Sequence, residues 1–347
     1  MKSFFKRKGV QPSFQTYVID ALSYMALGLF SSLIIGLILQ TAGNQLLALE
    51  AGGGVSRFAG WLSGVGDLAM SLMGPAIGVA VAYGLKAPRL VLFAAVISGA
   101  AGAELGGPAG AFVAALLSVE AGKLVSRETK VDIIVTPFVT IVIGVAAATF
   151  IGPGIQTGLE QFGSLIMWAT EQQPFIMGIL VAVMMGLALT APISSAAIAI
   201  MLGLSGVAAG AAAVGCAAQM VGFAASSFRE NRWSGVIALG IGTSMLQIAN
   251  VVKNPWILLP PTAAAAVLGP VSTVVFQMEN LPAGAGMGTS GFVGQIMAFE
   301  AMGFTVSVLF IVLTMHFIGP AVLSLLLSEW LRKQGRIAFG DMKINQS

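Results

Sequence analysis

Apolar runs of membrane-spanning length alternate along this chain with short breaks rich in glycine, proline or charge. Residues 17–41 read as a first helix, followed by the glycine-rich loop Ala51-Gly52-Gly53-Gly54. A second run, 68–85, is interrupted at Gly74-Pro75 and closed by Lys86 and Arg89. The third, 90–103, stops at Glu104-Leu105-Gly106-Gly107-Pro108-Ala109-Gly110 and resumes over 111–125. A basic loop with Lys123, Arg127 and Lys130 leads to 133–150, which ends at Gly152-Pro153-Gly154. Residues 155–173 mix Glu160, Gln161, Glu171 and Gln172 with Trp168 and other apolar residues, the pattern of an amphipathic helix at the interface. That segment is expected to join two halves, 17–154 and 174–331, flanked by tails 1–16 and 332–347. In the second half, 175–204 breaks at Thr190-Ala191-Pro192, and 206–223 ends at Arg229-Glu230-Asn231-Arg232. Runs 233–250 and 263–276 follow, then Glu279-Asn280-Leu281-Pro282 and the glycine-rich stretch 284–294; a last span covers 304–327.

The breaks fall at the depth of the membrane. Irregular backbone there is tolerated only where protein buries it or it lines a wet cavity. Short or interrupted segments in two halves of a membrane protein point to the substrate site of a transporter. A weak internal repeat agrees: Gly107-Pro108-Ala109-Gly110-Ala111-Phe112-Val113 and Gly288-Thr289-Ser290-Gly291-Phe292-Val293-Gly294 each follow an acid, Glu104 and Glu279.

Composition removes the soluble alternatives. Only 9% of the 347 residues are charged and 57% are hydrophobic, whereas a soluble domain carries about a quarter charged residues. The chain is expected to be an all-α, polytopic integral membrane bundle embedded in the lipid bilayer. At roughly 20 residues per span its length allows about eight to ten crossings. The net charge of +3 collects at the ends, Lys2, Lys6, Arg7 and Lys8 at one and Arg332, Lys333, Arg336 and Lys343 at the other. The positive-inside rule puts both termini in the cytoplasm, which requires an even number of crossings. Such flanks are not a nucleic-acid signal, and the first helix reads as retained rather than as a cleaved signal peptide. One cysteine, Cys216, and one histidine, His316, give no basis for a disulfide or a metal site. No cofactor is expected, no phosphate loop of the Walker type occurs, and the chain reads as a carrier rather than an enzyme.

Polar residues inside the membrane need partners or a function. The densest set comprises Gln247, Asn250, Asn254, Glu279, Asn280, Thr289, Ser290 and Gln295. It is rich in neutral donors and acceptors, as a polyhydroxylated ligand requires, because each hydroxyl both donates and accepts. Glu104 and Glu279 suit either a proton- or cation-linked role or the capping of half-helix N-termini. Asp67 reads as the cap of the helix that follows it. His316, alone in an apolar helix, reads as a hydrogen-bonding partner of a neighbouring helix, outside the site.

A resemblance narrows these readings. The run Gly178-Ile179-Leu180-Val181-Ala182-Val183-Met184-Met185-Gly186, continuing as Ala191-Pro192-Ile193-Ser194-Ser195-Ala196-Ala197, resembles the central motif of the fructose-type membrane component EIIC of the bacterial phosphotransferase system (PTS). Residues 106–122 and 137–153 are similar to that family's glycine-rich helix and the helix after it, and the resemblance covers 64–328. Where the family has an acid and an Asn-Lys pair, this chain has Ala188 and Ser194-Ser195. The strings Gln219-Met220-Val221-Gly222, Gly242-Thr243-Ser244-Met245-Leu246-Gln247, Lys253-Asn254-Pro255 and Gly286-Met287-Gly288-Thr289-Ser290-Gly291 resemble a standalone EIIC, perfringolysin-regulator-like branch. The resemblance implies a homodimeric transporter of a sugar or sugar derivative in the bacterial cell membrane, working by elevator-type alternating access. It adds Gln219, Ser194 and Ser195 to the candidate solute contacts. The short tails leave no room for a phosphocarrier domain, so separate phosphocarrier proteins are the expected partners if the cargo is phosphorylated. The alternative from another class is a membrane-embedded sensor that binds a solute without moving it. A channel is a third option.

Overall fold

The computed structural model describes residues 5, 7–10, 13–48 and 53–344. Lys2, Lys6, Ala51 and Gly52, singled out above, lie outside the described residues, as do 345–347. The fold is all-α, and the described residues include no named strand. The chain divides into two compact units, Met1–Leu159 and Glu160–Ser347.

The first unit starts with α1 (Gln15–Leu47), whose ladder relaxes into π-helical turns at Gln15–Asp20 and Phe30–Ile34. Helix α2 (Gly53–Ser71) packs along it, and α3 (Met73–Gly84) follows after a 50° bend at Leu72. Asp67 lies inside α2 and accepts a hydrogen bond from Gln40 Nε2. It therefore ties two helices together rather than capping one, because α2 extends a full turn and more beyond the glycines around it. Helix α4 (Arg89–Val125) contains the expected break: Gly106 and Gly107 leave helical geometry, and Gly107 has φ 59°. An L side chain at that angle crowds the next carbonyl, so glycine is the residue that permits it. The chain doubles back there. A Cβ on Gly102 would lie 2.8 Å from the Ala111 Cα, and Ser98 and Ser118, on opposite sides of the break, both reach Gly144. The α4 segment is thus a hairpin of two half-helices whose outer ends, near Arg89 and Val125, share one side of the unit.

Helix α5 (Asp132–Thr170) runs unbroken through Gly152-Pro153-Gly154, where the apolar pattern suggested an end. The amphipathic stretch 155–173 is consequently not a separate element; most of it continues α5. Pro153 loses only one backbone hydrogen bond, which a 39-residue helix absorbs.

The second unit is organised around α8 (Gly206–Ser226), which is buried on every side. A helix that is apolar all round belongs in a core. Its alanines and glycines let α6 (Pro174–Thr190), α11 (Pro255–Val275) and α14 (Val306–Lys333) approach to backbone contact. A Cβ on Gly215 would lie 2.5 Å from the Ala182 carbonyl carbon. Close approach by small residues is the main source of helix association in lipid, where apolar burial drives little. Short elements complete the unit: α7 (Ser195–Met201), α9 (Phe228–Ile237), α10 (Ile248–Lys253), α12 (Pro282–Ala285) and α13 (Val293–Met302).

Residues after α14 do not trail away as a simple tail. They fold back as a strap in which Ile337, Met342 and Ile344 are buried against Phe223, Leu239, Ile257 and Leu331. Its backbone is held by side chains: Asn231 donates to the Met342 carbonyl at 2.7 Å and accepts from the Ile344 N–H at 3.0 Å. Arg332, paired with the buried Glu230 at 2.8 Å, anchors its start.

Among the described residues six helices are long and apolar enough to cross a membrane, or seven if the bent α2–α3 pair is one span. That is fewer than length alone allows, because α5 is nearly twice a single span and the second unit spends chain on pieces too short to cross.

Two outcomes follow from this packing. Gly215→Val should destabilise the purified protein by about 1–3 kcal/mol through overpacking, whereas Gly154→Ala, where a Cβ meets nothing within 4 Å, should leave the melting temperature unchanged or raise it. Melting in detergent, followed by intrinsic fluorescence, checks both. Asn254→Ala removes two hydrogen bonds to the strap, each worth about 1 kcal/mol, and should speed tryptic cleavage after Arg336 by roughly an order of magnitude.

Candidate functional site

Two interrupted helices meet in the second unit. The first break follows Thr190, where Ala191 turns extended (φ −73°, ψ 163°) before α7 begins at Ser195. The second lies between α12 and α13, where Gly288, Gly291 and Phe292 all take positive φ. The Ser195 hydroxyl donates to the Gly286 carbonyl at 2.6 Å. A Cβ on Gly286 would lie 2.6 Å from the Ala196 nitrogen, so one break is seated against the other. Gly288 in turn lies against Cys216 and Ala217 of α8.

Buried polar groups tie the segment that carries the second break to the backbone around it. Asn280 is fully buried; its backbone N–H donates to the Gly206 carbonyl at 3.1 Å, and its Nδ2 donates to the Gly294 carbonyl at 2.8 Å. Its Oδ1 accepts from the Leu281 N–H at 2.8 Å. The Thr289 hydroxyl donates to the Gly240 carbonyl. A buried carbonyl or N–H without a partner costs about 1–3 kcal/mol, and these contacts remove that cost.

At or beside the second break three side-chain atoms remain over. Ser290 Oγ, Gln295 Oε1 and His316 Nε2 are buried and have no hydrogen-bond partner among the described residues. Their protonation follows from their neighbours. Gln295 Nε2 donates to the Gly288 carbonyl at 3.2 Å, which fixes the orientation of the amide. The same nitrogen lies 2.7 Å from His316 Nδ1, which must therefore accept. A neutral imidazole that accepts at Nδ1 carries its proton on Nε2. The site thus holds an acceptor at Gln295, a donor at His316, and a hydroxyl at Ser290 able to do either.

A separate polar chain links α6, α8 and α11. Thr190 Oγ1 lies 2.8 Å from Ser244 Oγ and donates to Gln219 Oε1 at 3.3 Å, while Gln219 Nε2 donates to Thr262 Oγ1 at 2.9 Å. Every member has a protein partner, so this chain cross-links the helices around the core.

The remaining candidates are dispersed. Gln247 and Asn250 bond to each other at 2.7 Å and donate to the Met342 and Lys343 carbonyls of the strap at 2.8 and 2.9 Å. Asn254 donates to the Arg336 carbonyl and to Asp341. Those three amides hold the strap. Glu279 is exposed, and its backbone N–H lies 3.3 Å from Met302 Sδ. Glu104 is exposed in the first unit, just before the α4 break and so at the end of a half-helix rather than its start. Ser194 is half-buried in the first break. The structure therefore brings together Asn280, Thr289, Ser290, Gln295 and Ser195, with Gln219 nearby on α8. It adds His316, which bonds to a neighbouring helix as its sequence context suggested but also offers a free nitrogen. Thr190 and Ser244 had no signal of their own, being ordinary hydroxyls in apolar runs. Among the described residues no group of three His, Cys, Asp or Glu side chains is placed to hold a metal.

Comparison with known proteins agrees with the architecture. Neither the curated proteins nor the solved structures include a significant match to the chain. The family model described as "Phosphotransferase system, EIIC" matches residues 19–344. That match runs from the first membrane helix to the strap and takes in every break described above, so the chain belongs to the EIIC family of the phosphotransferase system, the multi-pass membrane transport component of that machinery.

Proposed function

We propose that this EIIC protein carries a neutral, polyhydroxylated solute, a sugar or sugar derivative, bound where the two broken helices of the second unit meet. The observation that carries this reading is the trio of unpartnered buried atoms on Ser290, Gln295 and His316. An acceptor, a donor and a hydroxyl suit vicinal hydroxyl groups, each of which donates and accepts. Charged chemistry fits less well, because the polar residues seated at the breaks are neutral amides and hydroxyls. Ser195, Asn280 and Thr289 act as positioning residues: they hold the irregular backbone so that the three free atoms keep their directions. Glu279, exposed at the entrance to α12, suits a later contact or a coupled proton. In this reading the protein works as a homodimer, one part of each protomer moves against a fixed scaffold, and separate phosphocarrier proteins modify the cargo.

The test is a thermal-shift screen of sugars, polyols and sugar phosphates on the purified protein, followed by flux into proteoliposomes. A ligand of the native state raises apparent stability by mass action. With the best ligand, Gln295→Leu should weaken binding at least tenfold and abolish flux. Ser290→Ala should weaken binding about three- to tenfold, the range for one lost hydrogen bond, while leaving the ligand-free melting temperature unchanged or slightly higher. A purely structural role predicts the opposite for Ser290→Ala, a fall in stability with affinity intact. Wild-type affinity in both variants would remove the site. Binding without flux would leave the site and exclude transport.

A further inference from the structure

The first unit carries a second chemistry that solute transport does not use. A cavity of about 610 Å³ lies beside the outer ends of the α4 hairpin, lined by Arg7, Lys8, Lys86, Lys123, Arg127 and Glu128 together with Pro88 and Ser126. Two of its cations are nearly buried, Lys123 at 2% and Lys8 at 9% side-chain exposure. Burying ammonium groups is costly, and lysine is almost never buried unless paired.

Carboxylates answer for part of this charge. Lys123 pairs with Glu120 at 2.7 Å and donates to the Gly9 carbonyl at 3.3 Å. Lys8 and Arg7 both pair with Glu128, the latter at 3.1 Å, and Lys8 also donates to the Ser126 carbonyl. The Lys8 ammonium holds the Glu128 carboxyl below the ordinary glutamate range, so it stays ionised at neutral pH. Asp132 accepts from the Arg127 backbone N–H and from Thr136, and its charge also faces the side chains of Arg127 and Lys8 without a direct ion pair among the described residues. The side chains of Lys86 and Arg127 make no ion pair among the described residues. Both sit at positive φ, 54° and 60°, an uncommon conformation for residues other than glycine. At Lys86 this is the left-handed cap that closes α3, with the Ala87 N–H donating to the Ala82 carbonyl at 3.0 Å.

We propose that this cavity is a binding site for a phosphate-bearing anion, and specifically for the phosphodiester headgroup of an anionic glycerophospholipid. Five cations line it against the carboxylates of Glu128, Glu120 and the neighbouring Asp132, an excess of two positive charges, and Lys86 and Arg127, which make no direct ion pair among the described residues, are left to meet the ligand. The lipid source is favoured by what borders the site. Helix α3 ends just before Lys86, α4 starts and ends beside it, and α5 starts at Asp132, so the cavity lies at the level where membrane helices terminate. Directly beyond, Ile133, Ile134 and Phe138 are exposed apolar side chains on α5, a surface for acyl chains. Basic pockets between membrane helices on the cytoplasmic side select anionic headgroups, and the positive-inside rule puts these cations on that side.

The experiment uses the full chain in neutral detergent, with native mass spectrometry and melting temperature as readouts. Phosphatidylglycerol should be retained in preference to phosphatidylcholine and should raise the melting temperature more. Lys86→Gln combined with Arg127→Gln should cut that preference at least tenfold, at about fivefold per cation. Glu128→Gln should instead increase it, a sign that a merely structural role for the cluster would not produce. Inorganic phosphate and glycerol 1-phosphate form the second arm. Protection by these equal to that of phosphatidylglycerol overturns the lipid assignment and leaves a soluble phosphate ester as the ligand. Equal retention of the two lipids by the wild type, or an unchanged preference in both the double variant and Glu128→Gln, overturns the site.

Discussion

Peptide groups freed from a helix at membrane depth have no water to turn to, and this constraint organises the whole second unit. Each interruption must be paid for by a nearby donor or acceptor, and each donor must come close. Both needs are met by α8, whose alanines and glycines have almost no side chain to hold neighbours away. With α6, α11 and the glycine-rich segment at backbone contact, the break after Thr190 and the break before α13 come within reach of each other. Ser195 then satisfies the Gly286 carbonyl inside the second break, while Asn280 and Thr289 tie that segment to the carbonyls of Gly294 and Gly240.

The same bookkeeping explains why the leftover atoms matter. Buried atoms without a partner also occur on Ser226, Ser227, Ser324, Glu230 and Arg332, but Ser290, Gln295 and His316 are the ones that fall at or beside the second break. The contrast with the Thr190–Gln219–Thr262 chain is instructive, since the buried Thr190 and Gln219 and the half-buried Thr262 are all partnered within the protein. One network stabilises the bundle. The other retains hydrogen-bonding capacity, and a ligand rich in hydroxyls is the chemistry that would use it.

Charge is kept to the margins, where it works differently in the two units. In the second, Arg332, Glu230 and the amides of Asn231, Gln247, Asn250 and Asn254 fasten a strap over an apolar patch. In the first, cations outnumber carboxylates around a cavity at the ends of the membrane helices. The strap arrangement pairs Arg332 with Glu230 inside the protein and reads as structural. The cavity leaves positive charge over and reads as receptive.

The hydrophobic pattern alone determined the all-α membrane class, the breaks at Gly106-Gly107 and after Thr190, and the polar, glycine-rich segment that ends in α13, because hydrocarbon makes helix and break conspicuous in one dimension. The resemblance of particular strings pointed to EIIC, and the family match bears out that family. Tertiary structure decided the rest. Asp67 and the 155–173 stretch looked like a cap and a linker, yet Asp67 and residues 155–170 lie within continuous helices, because a single acid or proline does not end a helix that its neighbours support. Asn250 and Asn254 looked like solute contacts, and only the fold shows them gripping a strap some ninety residues away in sequence. His316 read as a hydrogen-bonding partner of a neighbouring helix, and the fold supplies that partner, Gln295, while leaving its second ring nitrogen unmatched. Whether a buried polar group is spent or free depends on which partner reaches it, and that is settled by distances of a few ångströms between segments far apart in the chain.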